Sequence, residues 1–317
     1  MTDTQNEVFK SPVNKIRLFE HGAPGSQNLK LTRKYYTEDM PDGRVKHIVQ
    51  NITDPDIVPY IPDGIGNSTD RQRIPAVLII PGGAFRRLVY NFEGEDVAKW
   101  LNCMGIAAFV LECRLPSDEH DNAEDVPLID AMRAMRVIRG RAQEFGIDEA
   151  KIGVMGFSAG GFMAALLSTA YESDVYADYK YKDEYDKLSA RPDFAVCSYP
   201  VISIDDCIEA GKRYMSEEQV LERISDGKAK ILHKYNPDKL VRPDMPPVFI
   251  CETDDDRTTL SENSVGFYMA ARKAGVSAEL HIFRTGGHGY GCGDDFAQTG
   301  EWKVLFTKWI KSIGIIS

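Results

Sequence analysis

A chain of 317 residues with 43% hydrophobic and 27% charged content has enough apolar material for one large core, and the count favours a single domain. A net charge of −10 works against holding nucleic acid or an anionic membrane through a general field, and no apolar run approaches a membrane span. Neither end carries a secretory pattern, so a cytoplasmic location is expected; the scattered cysteines Cys103, Cys113, Cys197, Cys207, Cys251 and Cys292 read as reduced thiols, with no metal site implied.

Residues 1–73 are polar and turn-rich, with hydrophobic stretches only at Val45 to Val49 and Ile57 to Ile65, and read as one or two antiparallel edge hairpins. Ala76 to Ile80, AVLII, is the first continuous apolar run, of the kind buried on both faces of a parallel sheet. It ends in Pro81-Gly82-Gly83-Ala84-Phe85. Val97, Trp100, Leu101 and Met104 recur at helical spacing and predict a helix from Gly94 to Met104, stopped by Gly105. A strand at Ala107 to Leu111 follows, then a helix from Pro127 to Phe145 with Met132, Met135, Ile138 and Ala142 on one face.

Lys151 to Tyr171 reads as an apolar strand, a tight turn around Ser158 and a helix of small residues. Gly156-Phe157-Ser158-Ala159-Gly160 fits G-x-S-x-G, in which a nucleophile sits at a strained strand-to-helix corner and a Cβ at either glycine would clash. The helix that begins after Ser158 would aim its first amides at a developing oxyanion.

Strand and helix then alternate again: Phe194 to Ser198, Val248 to Cys251, a helix from Ser261 to Ala274, and Ala278 to Phe283. A closing helix carries Trp302, Leu305, Phe306, Trp309, Ile310 and Ile313. This order predicts an α/β architecture, a mainly parallel sheet with helices on both faces and its site at the carboxyl ends of the strands. Two stretches interrupt it. Glu172 to Arg191 is rich in Tyr, Asp and Lys, and Ile204 to Arg242 contains the amphipathic segment SEEQVLERI. Residues of about 172–245 therefore read either as a lid or cap insertion or as solvated connections.

A triad acid belongs at the end of a later strand, where Val248 to Glu252 runs into Thr253-Asp254-Asp255-Asp256. Asp255 is the preferred acid and Asp254 the second choice, with Asp256 expected to turn into the loop and cap the next helix. A cation held by these carboxylates is the rival reading, weakened by the lack of a histidine nearby in sequence. His288 follows the next strand in a glycine-rich loop, and the order Ser158, Asp255, His288 suits this kind of sheet. Gly82-Gly83-Ala84 and Ala159 stand where oxyanion amides are needed.

The segments PAVLIIPGGAF at 75–85, EGEDVAKWLNCMGIAAFVLECRLP at 93–116, DAMRAMRVIRGRAQEFGIDEAKIGVMGFSAGGFMAALLST at 130–169, RPDFAVCSYPVIS at 191–203 and GGHGYG at 286–291 carry a resemblance. On them the chain resembles the α/β-hydrolases, specifically the acetyl-xylan esterase and feruloyl-esterase-like carbohydrate esterases related to hormone-sensitive lipase. The resemblance covers roughly Ile74 to the C-terminus. It implies Ser158 as nucleophile, His288 as base, Asp255 as acid, and Gly83, Ala84 and Ala159 as oxyanion donors, with no cofactor. It further implies a small ester or acylated oligosaccharide as substrate, with acetyl groups on xylan-type carbohydrate favoured, and leaves a homo-oligomer open. Two departures stand out: the family's H-G-G-G is Pro81-Gly82-Gly83-Ala84 here, and Cys113 replaces the tyrosine usual before Arg114. The alternatives are a serine exopeptidase of the prolyl-oligopeptidase-like type and a non-catalytic binding protein on the same fold.

Overall fold

The computed structural model describes residues 9–63, 73–213, 216, 218–219, 228–293 and 297–317. Eleven strands are present among them: β1 (Ile16–Arg17), β2 (Lys34–Asp39), β3 (Val45–Gln50), β4 (Asp56–Tyr60), β5 (Ile74–Ile80), β6 (Leu88–Val89), β7 (Ala107–Glu112), β8 (Ile147–Phe157), β9 (Ala195–Ser198), β10 (Val248–Thr253) and β11 (Ala278–Phe283). Eight form one sheet in the order β1-β4-β7-β5-β8-β9-β10-β11. β1 and β4 are antiparallel to their neighbours and the rest run parallel, as the strand–helix alternation predicts. The inner strands β5, β7 and β10 are buried along almost their whole length because helices cover both faces.

The helix Ala159–Ala170 is buried nearly all round, so its apolar residues form no single stripe. The predicted helix of Pro127 to Phe145 is two helices, Val126–Gly140 and Ala142–Phe145. Its break follows a glycine that packing requires: a Cβ at Gly140 would lie 2.3 Å from the Tyr185 ring. Glycine is also the weakest non-proline helix former, so the chain leaves helical geometry directly after it, at Arg141 (φ −102°, ψ 16°).

The N-terminal hairpin departs from expectation. β2 and β3 pair with each other and then with β6 in a separate three-stranded sheet, and only β1 and β4 join the edge of the large one. β6 lies just beyond Pro81–Arg87, so the hairpin is fastened to that loop: the Asn91 side chain accepts from the His47 amide (2.9 Å) and donates to the Val45 carbonyl (2.8 Å). Ile48 and Val49 are fully buried beneath it.

Glu172 to Arg191 docks on the helix Val126–Gly140. Arg133 donates to Asp183 (2.7 Å) and Asp186 (3.1 Å), and the Tyr179 hydroxyl donates to the Gly22 carbonyl (2.9 Å). Most of the amphipathic segment that starts at Ser216 lies outside the described residues. No helix among the described residues is long and apolar enough to cross a membrane.

Candidate active site

β8 ends at Phe157, and the helix Ala159–Ala170 starts two residues later. Ser158 must take up the whole change of direction, and it does so at φ +54° and ψ −117°, a region that non-glycine residues rarely occupy. The flanking glycines are steric necessities. A Cβ at Gly156 would sit 1.9 Å from the Gly160 carbonyl oxygen, and one at Gly160 would sit 1.9 Å from the carbonyl oxygen of Ile80. The Ser158 amide donates to the Ser198 carbonyl (3.0 Å), tying the corner to β9.

Ser158 Oγ lies 2.8 Å from His288 Nε2, and His288 Nδ1 lies 2.6 Å from Asp256 Oδ2. The three side chains form a continuous line. Asp255, the expected acid, is not part of it. Its Oδ1 accepts from the amides of Gly286 (2.9 Å) and Gly287 (2.8 Å), so it anchors the histidine's loop and not the imidazole. Nor does Asp254 take the position; it is exposed. The cause is a turn closed by the Asp256 amide on the Thr253 carbonyl (3.3 Å), which leaves Asp255 facing solvent and swings Asp256 inward to 2% exposure. Of the expectation for Asp256 only the loop half holds: its Oδ1 accepts from the amides of Thr258 (2.7 Å) and Thr259 (2.9 Å), but it does not cap the next helix, which starts after Leu260 with no side-chain cap. Burial works to raise this carboxyl, but the hydrogen bond and charge of His288 together with those two amides outweigh it and hold Asp256 below the usual carboxylate range.

The loop after β5 coils tightly. Gly83 has φ +138° and its carbonyl accepts from Arg86 (3.2 Å) and Arg87 (3.3 Å); Ala84 and Phe85 follow at φ +60° and +61°. Two consecutive side-chain-bearing residues in the left-handed region store on the order of 1 kcal/mol or more each. Gly83 and Ala84 line a cavity of about 440 Å³ that also receives Ser158 and His288. Ala159 lines a neighbouring apolar hollow of only about 10 Å³, together with Phe85, Leu115 and Met163. Gly82 is different: its amide donates to Glu93 Oε2 (2.8 Å).

The rest of the larger cavity was not foreseen. Met40, Arg44 and Lys46 reach it from the β2–β3 hairpin, and Arg87, Phe92 and Glu93 from the segment after β5. Among the described residues none of 172–245 lines it. Arg44 stacks its guanidinium over Phe92 (5.2 Å) and pairs with Asp42 (2.8 Å), while Arg87 pairs with Glu38. Glu93 and Tyr199 lie deeper, both buried, with the Tyr199 ring edge-on to His288 (centroids 5.0 Å apart). Tyr199 had a signal in the sequence, since it is the first residue past the carboxyl end of β9. Glu93 had none beyond its place ahead of a helical stripe.

The family described as BD-FAE matches residues 65–270. An acetylxylan esterase of Xylanibacter ruminicola is 31% identical over 240 residues, which is 75% of this chain and 45% of that protein. Endo-1,4-beta-xylanase B of Butyrivibrio fibrisolvens is 31% identical over 227 residues, 71% of this chain and 34% of that protein. The chain thus spans less than half the length of these curated relatives. Among solved structures, an acetyl ester-xyloside bifunctional hydrolase from Caldicellulosiruptor lactoaceticus is similar over 96% of this chain and 97% of that one, at 35% identity and a TM-score of 0.72.

Proposed function

The chain belongs to the BD-FAE family and has the α/β-hydrolase fold, and from that premise we propose that it is a serine carboxylesterase whose substrate is a short-chain ester, in particular an acetyl group on a xylan-type carbohydrate. The observation that carries the reading is the line Ser158 Oγ to His288 Nε2 (2.8 Å) and His288 Nδ1 to Asp256 Oδ2 (2.6 Å), presented at a strained corner over a cavity.

In the first step His288 Nε2 takes the Ser158 hydroxyl proton as Oγ attacks the ester carbonyl. Asp256 accepts from Nδ1–H and so fixes the tautomer that leaves Nε2 free to accept, then stabilises the imidazolium. The amides of Gly83, Ala84 and Ala159 are assigned to the oxyanion; the Gly82 amide is spent on Glu93. The imidazolium returns its proton to the leaving alkoxide, which departs as the alcohol. Water, deprotonated by His288, then hydrolyses the acyl-enzyme. No step calls on a cofactor.

The constricted hollow between Phe85, Ala159 and Met163 supports a small acyl group, and the larger cavity offers the alcohol an aromatic face at Phe92 and charged side chains at Arg44 and Lys46. The names of the acetylxylan esterase and the acetyl ester-xyloside hydrolase support carbohydrate as that alcohol. The test is a fluorophosphonate probe with peptide mapping, run beside hydrolysis of p-nitrophenyl acetate, butyrate and octanoate, acetylated xylo-oligosaccharides and an aminoacyl amide. Adduct on Ser158 and turnover of acetyl substrates are expected, both lost in Ser158→Ala. No adduct in folded protein overturns the reading, and preference for the amide moves it to peptidases.

A further inference from the structure

The segment Asn91–Glu95 is a single turn of π-helix, closed by the Glu95 amide on the Tyr90 carbonyl (2.8 Å), ahead of the regular helix Asp96–Cys103. Such wide turns cost hydrogen-bond geometry and persist where they place a side chain. Here the side chain placed is Glu93, 4% exposed, beneath the cavity of Ser158 and His288. A buried carboxyl costs several kcal/mol unless its oxygens are fully met.

They are met by two loops at once. Glu93 Oε2 accepts from the Gly82 amide (2.8 Å), one residue ahead of the assigned oxyanion donors. Glu93 Oε1 accepts from the Tyr199 hydroxyl (3.0 Å). The Tyr199 oxygen in turn accepts from the Gly291 amide (2.9 Å), three residues past His288, and the Gly291 carbonyl accepts from the Trp302 indole (3.1 Å). Because Gly291 N–H can only donate, the tyrosine's own proton goes to Glu93. Both carboxyl oxygens then face donors, and a neutral acid would have no acceptor for its proton. The ionised form is the one this geometry satisfies.

We propose that Glu93 is a positioning residue of this hydrolase: through Gly82 and Tyr199 its carboxylate locks the loop after β5 to the loop of His288, and its buried negative charge supports the imidazolium that forms when Ser158 is deprotonated. The proposal rests on the esterase reading above. His288 then works between two carboxylates, Asp256 in hydrogen-bond contact and Glu93 at longer range. Its other polar and titratable neighbours are Ser158, Thr259 (3.3 Å from Nδ1), Tyr199 and Tyr290, with Lys46, Arg44 and Arg87 along the cavity wall. Burial is the largest influence and leaves the Glu93 carboxyl above its ordinary range, although the charge of His288, the Tyr199 hydroxyl and the Gly82 amide all pull it back towards the ionised form that the two donors satisfy.

The experiment measures kcat, KM and the pH dependence of kcat/KM on p-nitrophenyl acetate for wild type, Glu93→Gln, Glu93→Asp and Tyr199→Phe, with thermal unfolding recorded for each. Glu93→Gln keeps the shape but loses the charge and one acceptor. Its kcat is expected to fall roughly 10- to 100-fold, less than the roughly 10²- to 10³-fold cost of losing an oxyanion donor outright because the donors are displaced and not removed, with KM within about threefold. Removing a negative charge near His288 disfavours the imidazolium, so the acid limb of its profile moves to lower pH. Glu93→Asp restores the limb towards its wild-type position, and Tyr199→Phe lowers kcat without moving it. A Glu93→Gln enzyme with kcat within twofold of wild type overturns the proposal, as does a slow one whose acid limb stays in place. If Glu93→Gln does not accumulate as folded protein, Tyr199→Phe decides, and wild-type kcat there is fatal to the tether. A wild-type protein that neither turns over the ester nor takes a fluorophosphonate on Ser158 takes down the esterase reading and this proposal together, whereas an active wild type with an indifferent Glu93→Gln isolates the failure to Glu93.

Discussion

Asp256 Oδ2 stands 2.6 Å from His288 Nδ1 while the neighbouring carboxylate of Asp255 holds the amides of Gly286 and Gly287, so two consecutive aspartates grip one loop at two places. One orients the ring. The other fixes the backbone that carries it.

This division predicts an unequal series. Asp256→Asn should cost on the order of 10⁴ in kcat, because the imidazole is then held in the wrong tautomer. Asp255→Asn should be mild, since both amides bond to a single oxygen that an amide side chain still supplies. Asp255→Ala loses both bonds, but the freed amides are open to water, so it should cost only on the order of 1 kcal/mol of stability, with a several-fold loss of kcat as the loop of His288 loosens. Asp254→Asn should be silent. Steady-state kinetics with thermal denaturation reads all four, and a severe Asp255→Asn with a mild Asp256→Asn would reverse the assignment.

Phe85 is predicted to limit the acyl chain. It is 6% exposed, packs edge-on against Phe162 (5.5 Å), and lines the small hollow beside Ala159. Phe85→Leu should raise the butyrate-to-acetate ratio of kcat/KM by roughly tenfold, as expected when a hydrophobic pocket gains room for added methylenes. An unchanged ratio would locate the acyl group elsewhere.

His120 is predicted to make the fold acid-sensitive. Ser26 Oγ accepts from the Arg114 guanidinium (2.8 Å) and is hydrogen-bonded to His120 Nδ1 (3.0 Å), while His120 Nε2 is buried with no partner among the described residues. Burial, helped by the Arg114 charge, lowers this histidine from 6.5 to about 4. The unfolded chain therefore binds a proton that the native state refuses. Stability is lost as pH falls from about 6.5 towards 4, by an amount on the order of 3 kcal/mol for this group. Urea midpoints across that window should fall more steeply towards acid in wild type than in His120→Asn, the difference isolating this group from half-buried carboxyls such as Asp118, which burial raises to about 6 and which act in the opposite sense.

Gly160→Ala is predicted to prevent accumulation of folded protein, because the added methyl meets the Ile80 carbonyl oxygen at 1.9 Å and backbone cannot yield as a flexible side chain can. Gly275→Ala, whose Cβ would meet nothing within 4 Å, should cost only the strain of φ +79°. Soluble yield and unfolding midpoints compare the two.

The sheet and its nucleophile corner were legible because their signals are local: apolar runs mark β5, β7 and β8, and the G-x-S-x-G turn follows β8 with no gap. His288 was legible as the histidine of a glycine loop after β11. The aspartate that meets its ring was not, since choosing between Asp255 and Asp256 depends on the phase of a turn after Thr253, which three identical residues cannot reveal. Glu93 was hidden for a related reason: helical periodicity assumes regular turns, and a π-turn shifts the side chain ahead of the stripe from surface to interior. The hairpin's place was hidden because its partner, β6, is two residues long. Glu172 to Arg191 is rich in tyrosine and charge because it clasps a helix through Arg133, which composition alone cannot separate from a lid.

The hairpin that brings Met40, Arg44 and Lys46 to the cavity lies upstream of the family-matched region, residues 65–270, which itself holds Ser158 and Asp256. Part of the cavity wall is therefore carried on a stretch that precedes the matched region, just as His288 is carried on one that follows it. The tip between β2 and β3, Met40 to Arg44, stands beyond the buried seat of Ile48 and Val49, so exchanging a handful of residues there reshapes the cavity wall without touching Ser158, His288 or Asp256.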